Sequence, residues 1–339
     1  MKRILFIERQ PSVFVSIESV FRQVAAHISN DRFATDFQQM PFGNSLLGVV
    51  KNLLFFKPRE ADLYHVTGHI HYIALRLPAD KTVLTIHDLG FLHTRRGLRR
   101  LALKKLFLDW PLRRLKYITA VSQKTKDEIL DYTNCDPDKI LVIDNPLTDG
   151  FGTSSSKVFD TERPTILQVG ITDNKNIPRL IEAITGLPCR LLIAGSPDSD
   201  LISLLSTAGI DYEIKGFMGR SDIVALYHST DLVAFCSTYE GFGLPIIEAQ
   251  ACGKPVITSN LSPMKEVGGG AVILVDPLDA ADIRRGILQV IESAELRKKL
   301  VSDGLENVKR FDPEVIGKKY RMLYLEVLGT KHSDQPTLS

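Results

Sequence analysis

Ser237-Thr-Tyr-Glu240-Gly-Phe-Gly-Leu-Pro245-Ile-Ile-Glu248-Ala follows directly on the apolar run Leu232–Phe235. Read in order, this is a strand, a glycine loop and the start of a helix. Gly241 and Gly243 let backbone come close to a ligand, and Pro245 suits a first helical turn. The free amides around Phe242, Gly243 and Leu244 then point outward with the helix dipole behind them, which makes a seat for a diphosphate. Glu248, about one turn inside the helix, is placed to accept hydrogen bonds from vicinal ribose hydroxyls, and Glu240 at the strand end to reach a sugar beyond the phosphates. A glycine loop alone is also ordinary turn chemistry. Here two spaced acids and a proline coincide with a second loop, Val169-Gly170-Ile-Thr-Asp-Asn-Lys175-Asn176, and the binding reading is preferred.

Outward from this stretch, short apolar runs alternate with helical patterns along the whole chain. Ile4–Ile7, Leu63–Val66, Thr82–Ile86, Tyr117–Val121 and Ile140–Ile143 fall in the first half. Thr165–Val169, Arg190–Ala194, Tyr212–Ile214, Leu232–Phe235, Pro255–Thr258 and Val272–Leu274 fall in the second, with helical segments such as Ile177–Ile184 and Asp222–His228 between them. The alternation predicts an α/β fold of two doubly wound, Rossmann-like parallel sheets. A Gly/Ser/Pro-rich stretch after Asn145-Pro146 separates them, giving an N-terminal domain over 1–152, a linker over 153–163 and a C-terminal domain over 164–310. A last helix is expected over 311–330, opened by the Asp312-Pro313 pair, with a tail over 331–339. Two such halves put a central cleft between the carboxyl ends of their sheets, where open parallel sheets bind ligands.

The bulk properties agree. At 339 residues the chain is longer than one hydrophobic core usually serves. No run approaches the roughly 18 apolar residues of a membrane span. The start, Met1-Lys-Arg-Ile-Leu-Phe-Ile-Glu8, reads as a buried strand and not as a signal peptide. Cys135, Cys189, Cys236 and Cys252 are far apart, without a Cys-x-x-Cys pair, which points to reduced thiols in a cytoplasm. Residues 1–160 hold 23 Lys and Arg against 17 Asp and Glu, whereas the remainder holds 19 against 23. No nucleic-acid partner is expected.

The pair of glutamates around Gly-Phe-Gly-Leu-Pro, followed by Ala251-Cys-Gly-Lys-Pro-Val256, resembles the donor-site signature of the family four retaining glycosyltransferases, and the similarity extends over most of residues 80–330. That resemblance implies the GT-B fold, with the C-terminal helix returning to the N-terminal domain. It implies that Gly170 and Lys175 meet the donor phosphates, that Gly216 and Phe217 of Lys215-Gly-Phe-Met-Gly219 surround the nucleobase, and that Glu240, Gly241, Phe242, Gly243, Leu244 and Glu248 complete the donor site. His87 of Thr85-Ile-His87-Asp88 would be the family's cleft histidine, catalytic with Lys175 and Glu240. Two departures stand out: Ile171 and Asn174 occupy the places where the family often carries an arginine, in a shorter loop, and Arg9-Gln-Pro-Ser-Val-Phe-Val-Ser16 replaces a Gly-Gly turn.

The implied reaction moves a sugar, with retention, from a UDP- or GDP-sugar to a saccharide or lipid-linked acceptor, in bacterial surface polysaccharide or glycolipid synthesis. It needs no metal and no cofactor, since charge on the leaving diphosphate is met by Lys175 and backbone amides. The expected place is the cytoplasm or the inner face of its membrane. The competing readings are a weak or inactive GT-B protein that binds sugar nucleotides, motivated by the two departures, and a nucleotide-sugar epimerase.

Three further features have a bland and a sharp reading. His65, His69 and His71 are placed on the loop after Leu63–Val66 and, with Asp88, are expected to line the acceptor side, a metal site being the lesser alternative. Asp198-Ser-Asp200 and Asp136-Pro-Asp138 match a metal-binding Asp-x-Asp pattern but read better as helix caps. Residues 95–116 carry nine basic residues against the single acid Asp109, interleaved with Leu98, Leu101, Leu106, Phe107, Trp110 and Leu115. They are either a basic amphipathic surface for anionic lipid or a helix packed on the sheet with its cations solvated.

Overall fold

Runs of Ile, Leu, Val and Phe that are apolar without alternation become parallel strands when both faces of the sheet are covered, and such runs form the central strands of two parallel sheets among the described residues. The computed structural model describes residues 1–10, 16–29, 32–154 and 157–329. The tail expected over 331–339, residues 155 and 156 of the expected linker, and the segment 11–15 lie outside the described residues.

The first unit comprises Met1–Pro146 and the chain from Pro313 onward. Its strands are β1 (Lys2–Glu8), β2 (Phe33–Gln39), β3 (Leu63–Val66), β4 (Thr82–Ile86), β5 (Tyr117–Ala120) and β6 (Ile140–Val142). They form one sheet in the order β2-β1-β3-β4-β5-β6, each pair parallel. The chain builds outward from β1 to β2 and then reverses through β3, so the topological switch lies between β1 and β3. One face carries the helices Ser16–Ile28 and Pro313–Val327. Gly317 lets them approach: a Cβ there would stand 2.9 Å from His27 Cβ, and Arg321 Nη2 donates to the His27 carbonyl at 2.6 Å. The other face carries a core in which Val49, Tyr72, Ile73, Phe107, Leu108 and Leu112 pack over the strands.

The second unit is Leu147–Asp312. Its strands are β7 (Thr165–Val169), β8 (Arg190–Ala194), β9 (Asp211–Ile214), β10 (Leu232–Phe235), β11 (Val256–Ser259) and β12 (Ile273–Val275). The order is β12-β11-β10-β7-β8-β9, again wholly parallel. Here the reversal lies between β7 and β10, so the loops leaving their carboxyl ends, 170–176 and 236–243, flank the crevice where a doubly wound sheet binds its ligand.

Candidate functional site

In the second unit the loop after β10 runs into the helix Leu244–Ala251. Gly243 carries a φ of 109°, a conformation that favours glycine, and a Cβ there would come within 3.2 Å of Ile246 Cδ1. Pro245 sits in the first turn, where no intrahelical N–H is missed. Phe242 is buried, its ring edge-on to Phe311 at 5.5 Å. Leu244 is half-buried.

The loop after β7 is fitted to it. Gly170 has a φ of 82°, and its missing side chain makes room for Lys175, whose Cε would lie 2.9 Å from a Cβ. The lysine chain thus crosses the glycine, passes over the Phe235 ring with Nζ 4.5 Å from the centroid, and ends on Glu240 Oε1 at 2.6 Å. Both partners are largely enclosed, at 16% and 14% exposure. Sequence reasoning assigned the lysine to phosphates and the glutamate to the sugar; the structure joins them in one ion pair.

Two asparagines that the sequence reading quoted without a role tie this loop to its surroundings, and one of them also bonds Glu240. Asn174 Nδ2 donates to the Tyr239 carbonyl at 2.8 Å and to Glu240 Oε1 at 3.3 Å, while its own carbonyl accepts from the Thr238 amide at 2.8 Å. Asn176, at a φ of 60° and buried, donates to the Cys236 and Pro277 carbonyls at 3.1 and 2.6 Å. Ile171, at the other place where an arginine was sought, packs toward Gly195, where a Cβ would meet its Cγ2 at 2.7 Å.

Glu248 stands one turn into the helix and accepts from Tyr227 Oη through Oε2 at 2.7 Å. Burial raises the Glu248 carboxyl above its ordinary range, against the hydrogen bond from Tyr227. Tyr227 is buried, edge-on to Phe151 at 5.5 Å, and was missed by the sequence reading because it lies on the preceding helix, Arg220–Ser229. Gly216 has a φ of 33° and Phe217 is exposed.

In the first unit, His87 leaves the end of β4 buried, its Nε2–H donating to the Thr67 carbonyl at 2.9 Å. Burial, then the neighbouring His69, pushes its pKa down to about 4. His69 Nε2 lies 3.1 Å from Asp88 Oδ2, and the Gly90 amide donates to Asp88 Oδ1 at 2.8 Å. Burial alone would raise the Asp88 carboxyl, but His69 and the Gly90 amide outweigh it and hold the group well below its usual range. Glu8, at the end of β1, was also missed: it is buried against Arg22 at 2.7 Å, and its pKa is pushed up to about 7 chiefly by that burial.

Two acceptor-side assignments need correction. His65 belongs to β3 and not to a loop; it is fully buried between Tyr324 Oη at 2.6 Å and Thr85 Oγ1 at 2.7 Å, a core histidine with both nitrogens satisfied. His71 opens the short turn His71–Arg76, is likewise fully buried, and donates from Nδ1 to the Phe107 carbonyl at 3.0 Å. Neither presents a surface to an acceptor. Burial drives both pKa values to about 3. Both Asp-x-Asp patterns act as caps: Asp198 accepts from the Leu201 amide at 2.9 Å and Asp136 from the Asp138 amide at 3.0 Å. Among the described residues, no group of three or more His, Cys, Asp or Glu could hold a metal ion.

Comparison with known proteins bears on family and fold. Residues 153–306 match the family described as Glycosyl transferases group 1, and residues 18–149 match Glycosyltransferase Family 4. The Escherichia coli serotype-specific mannosyltransferase WbdA is 25% identical over 337 residues, 91% of this chain and 39% of that protein, so the chain spans about two fifths of this relative's length. The E. coli O-antigen chain mannosyltransferase B is 28% identical over 277 residues, 74% of this chain and 71% of that one. Among solved structures, Anabaena Alr3699/HepE in complex with UDP and glucose superposes with a TM-score of 0.78 at 19% identity, over 96% of this chain and 100% of the other. WaaG, a glycosyltransferase involved in lipopolysaccharide biosynthesis, gives 0.71 at 15% identity, over 95% and 99%. At these identities the likeness to the solved structures is one of fold.

Proposed function

We propose that this chain, which belongs to the group 1 glycosyltransferases, transfers a sugar from a nucleoside-diphosphate sugar held in its second unit to a saccharide or lipid-linked acceptor. The observation that carries the reading is the Lys175–Glu240 pair, seated at the switch between β7 and β10 and beside the amino end of the helix Leu244–Ala251. A cation beside a helix start suits a diphosphate, and the carboxylate paired with it suits sugar hydroxyls. Glu248, held by Tyr227, takes the ribose. Gly216 and Phe217 border the base.

On binding, the donor phosphates compete with Glu240 for Lys175. The freed carboxylate turns to the sugar, and the lysine meets the charge that grows on the departing diphosphate, where electrostatic stabilisation counts most. Glu240 acts as a holder of hydroxyls and not as a nucleophile, in keeping with retention without a covalent intermediate. The neutral His87 and the His69–Asp88 pair lie at the carboxyl end of the first sheet, where they serve the acceptor. No metal enters this scheme, because Lys175 and the amides supply the charge and both Asp-x-Asp patterns are engaged as caps.

Two relatives named as mannosyltransferases make a GDP- or UDP-linked mannose the first donor to try, and their names point to bacterial surface polysaccharide. All four cysteines are free, which suits the cytoplasm. The reading is tested by incubating the protein with each sugar nucleotide and following nucleoside diphosphate release, then determining the product's anomeric configuration by NMR. Release with an α-linked product from an α-linked donor supports it; inversion refutes the mechanism. Binding without any release favours the second reading, a sugar-nucleotide-binding protein, which Asn174 and Ile171 in the arginine places motivate.

A further inference from the structure

Residues 149–153, near the start of the second unit, run as a strap along its helix Arg220–Ser229. Arg220 Nη1 donates to the Asp149 carbonyl at 2.8 Å. One turn on, a Cβ on Gly150 would stand 3.5 Å from Val224 Cγ2, and about one turn further the Phe151 ring meets Tyr227 edge-on at 5.5 Å. Arg220, Val224 and Tyr227 share one face of their helix by spacing, so three consecutive residues of the strap each meet a successive turn. The strap then passes to the helix that carries Glu248. There the Gly152 backbone hydrogen-bonds the Cys252 thiol, at the end of Leu244–Ala251, and Thr153 Cγ2 would lie 3.7 Å from a Cβ on Gly253.

The strap grips the two residues of Arg220–Ser229 that bear on Glu248. Tyr227 is fully buried and donates through Oη to Glu248 Oε2 at 2.7 Å. A tyrosine hydroxyl reaches a fixed acceptor only from a fixed ring, and the Phe151 ring stands against this one. Arg220 favours the ionised carboxylate against the burial that opposes it, and its guanidinium is moored on the strap's own backbone. A carboxylate that accepts from vicinal hydroxyls has to be charged and aimed. With Oε2 engaged by the tyrosine, Oε1 and the remaining lone pair of Oε2 are what a ribose can use.

We propose that Phe151 is a positioning residue of the ribose seat and sets how strongly the second unit prefers a ribonucleotide over one that lacks the ribose hydroxyls. This deepens the proposed function and rests on it, since it takes Glu248 as the group that meets the ribose. The ring acts through Tyr227. Without it the tyrosine loses a wall and the carboxylate its aim, whereas Lys175 keeps its seat, which is made by Gly170, Phe235 and Glu240. The loss therefore falls on hydroxyl recognition and spares diphosphate recognition. General loosening of the fold would weaken both together.

Calorimetry of the full chain with UDP and GDP, and with the dideoxy form of whichever binds, lacking both ribose hydroxyls, tests it. Wild type should bind the ribonucleotide about tenfold or more tightly, because the dideoxy form leaves Glu248 unpaired. In Phe151→Ala that ratio should fall to about threefold or less through loss of ribonucleotide affinity alone. Binding of the dideoxy form as in wild type would show that the variant's site is folded. Phe151→Tyr keeps an aromatic edge and should keep the ratio, and Phe151→Leu should fall between. An unchanged ratio in Phe151→Ala, or equal weakening of both nucleotides, overturns the proposal while the ribose assignment of Glu248 stands. No discrimination by wild type, or no binding of either nucleotide, overturns the ribose assignment and this proposal with it.

Discussion

Each acid of the candidate site is held by a partner, Glu240 by Lys175 and Glu248 by Tyr227. Glu248→Ala leaves ribose hydroxyls without an acceptor in an enclosed site, and donor binding should weaken by about 1–3 kcal/mol in calorimetry. Tyr227→Phe, which removes only the hydrogen bond that orients Glu248, should cost less than Glu248→Ala; an equal or greater loss would contradict the positioning role. Lys175→Ala should lower kcat more than it lowers donor affinity, since leaving-group charge peaks in the transition state; equal losses would mean simple ground-state binding. Asn174→Ala removes one of the two side chains of that loop that hold Glu240, leaving Lys175 alone, so kcat should fall while binding of the bare nucleoside diphosphate stays near wild type. The sequence exposed Lys175, Glu240 and Glu248 because each lies in a short pattern. It hid their mutual contacts: Asn174 and Lys175 reach Glu240 across 66 and 65 positions, and no local pattern encodes such a pairing. His65 misled for a related reason, since its partners Thr85 and Tyr324 come from distant elements.

Element by element, the buried strands were legible and the edge was not. Thr165–Val169, Arg190–Ala194 and Leu232–Phe235 coincide with β7, β8 and β10, because a strand covered on both faces reads as a nearly continuous apolar run. β2 was missed. It is an edge strand, half-buried along most of its length, and Asp36, Gln38 and Gln39 blunt it as edge strands are usually blunted. The helix Leu46–Phe55 escaped notice because its apolar stripe faces out, contrary to the usual pattern. Helix contact gives a test of its own: Gly317→Ala would drive a Cβ to 2.9 Å from His27 Cβ and should destabilise the first unit by about 1–3 kcal/mol in denaturant unfolding. The three buried histidines set a pH dependence. Their folded pKa values, about 3 for His65 and His71 and about 4 for His87, lie below the unfolded value near 6.5. The unfolded chain therefore takes up protons first, so the stability they contribute is present above about pH 6.5 and is lost as pH falls toward 4 and below. Thermal melts across that window should show Tm falling with acidification, with a shallower slope in His65→Gln; an identical slope would remove His65 from the explanation.

The two units share a doubly wound sheet and differ in chemistry: the second carries a cation, two acids and a helix start at its switch point, and the first carries buried histidines. Activity should survive exhaustive chelation; recovery only on adding manganese would transfer attention to Asp198 and Asp200. In the proposed function the second unit holds a nucleotide sugar through Lys175, Glu240 and Glu248. Calorimetric titration of UDP, GDP and their sugars into wild type and Glu248→Ala tests it most directly. One nucleoside diphosphate, with its sugars, should bind wild type in a 1:1 ratio and bind Glu248→Ala about tenfold or more weakly. No heat from any nucleotide, or the same affinity in both proteins, would contradict the assignment.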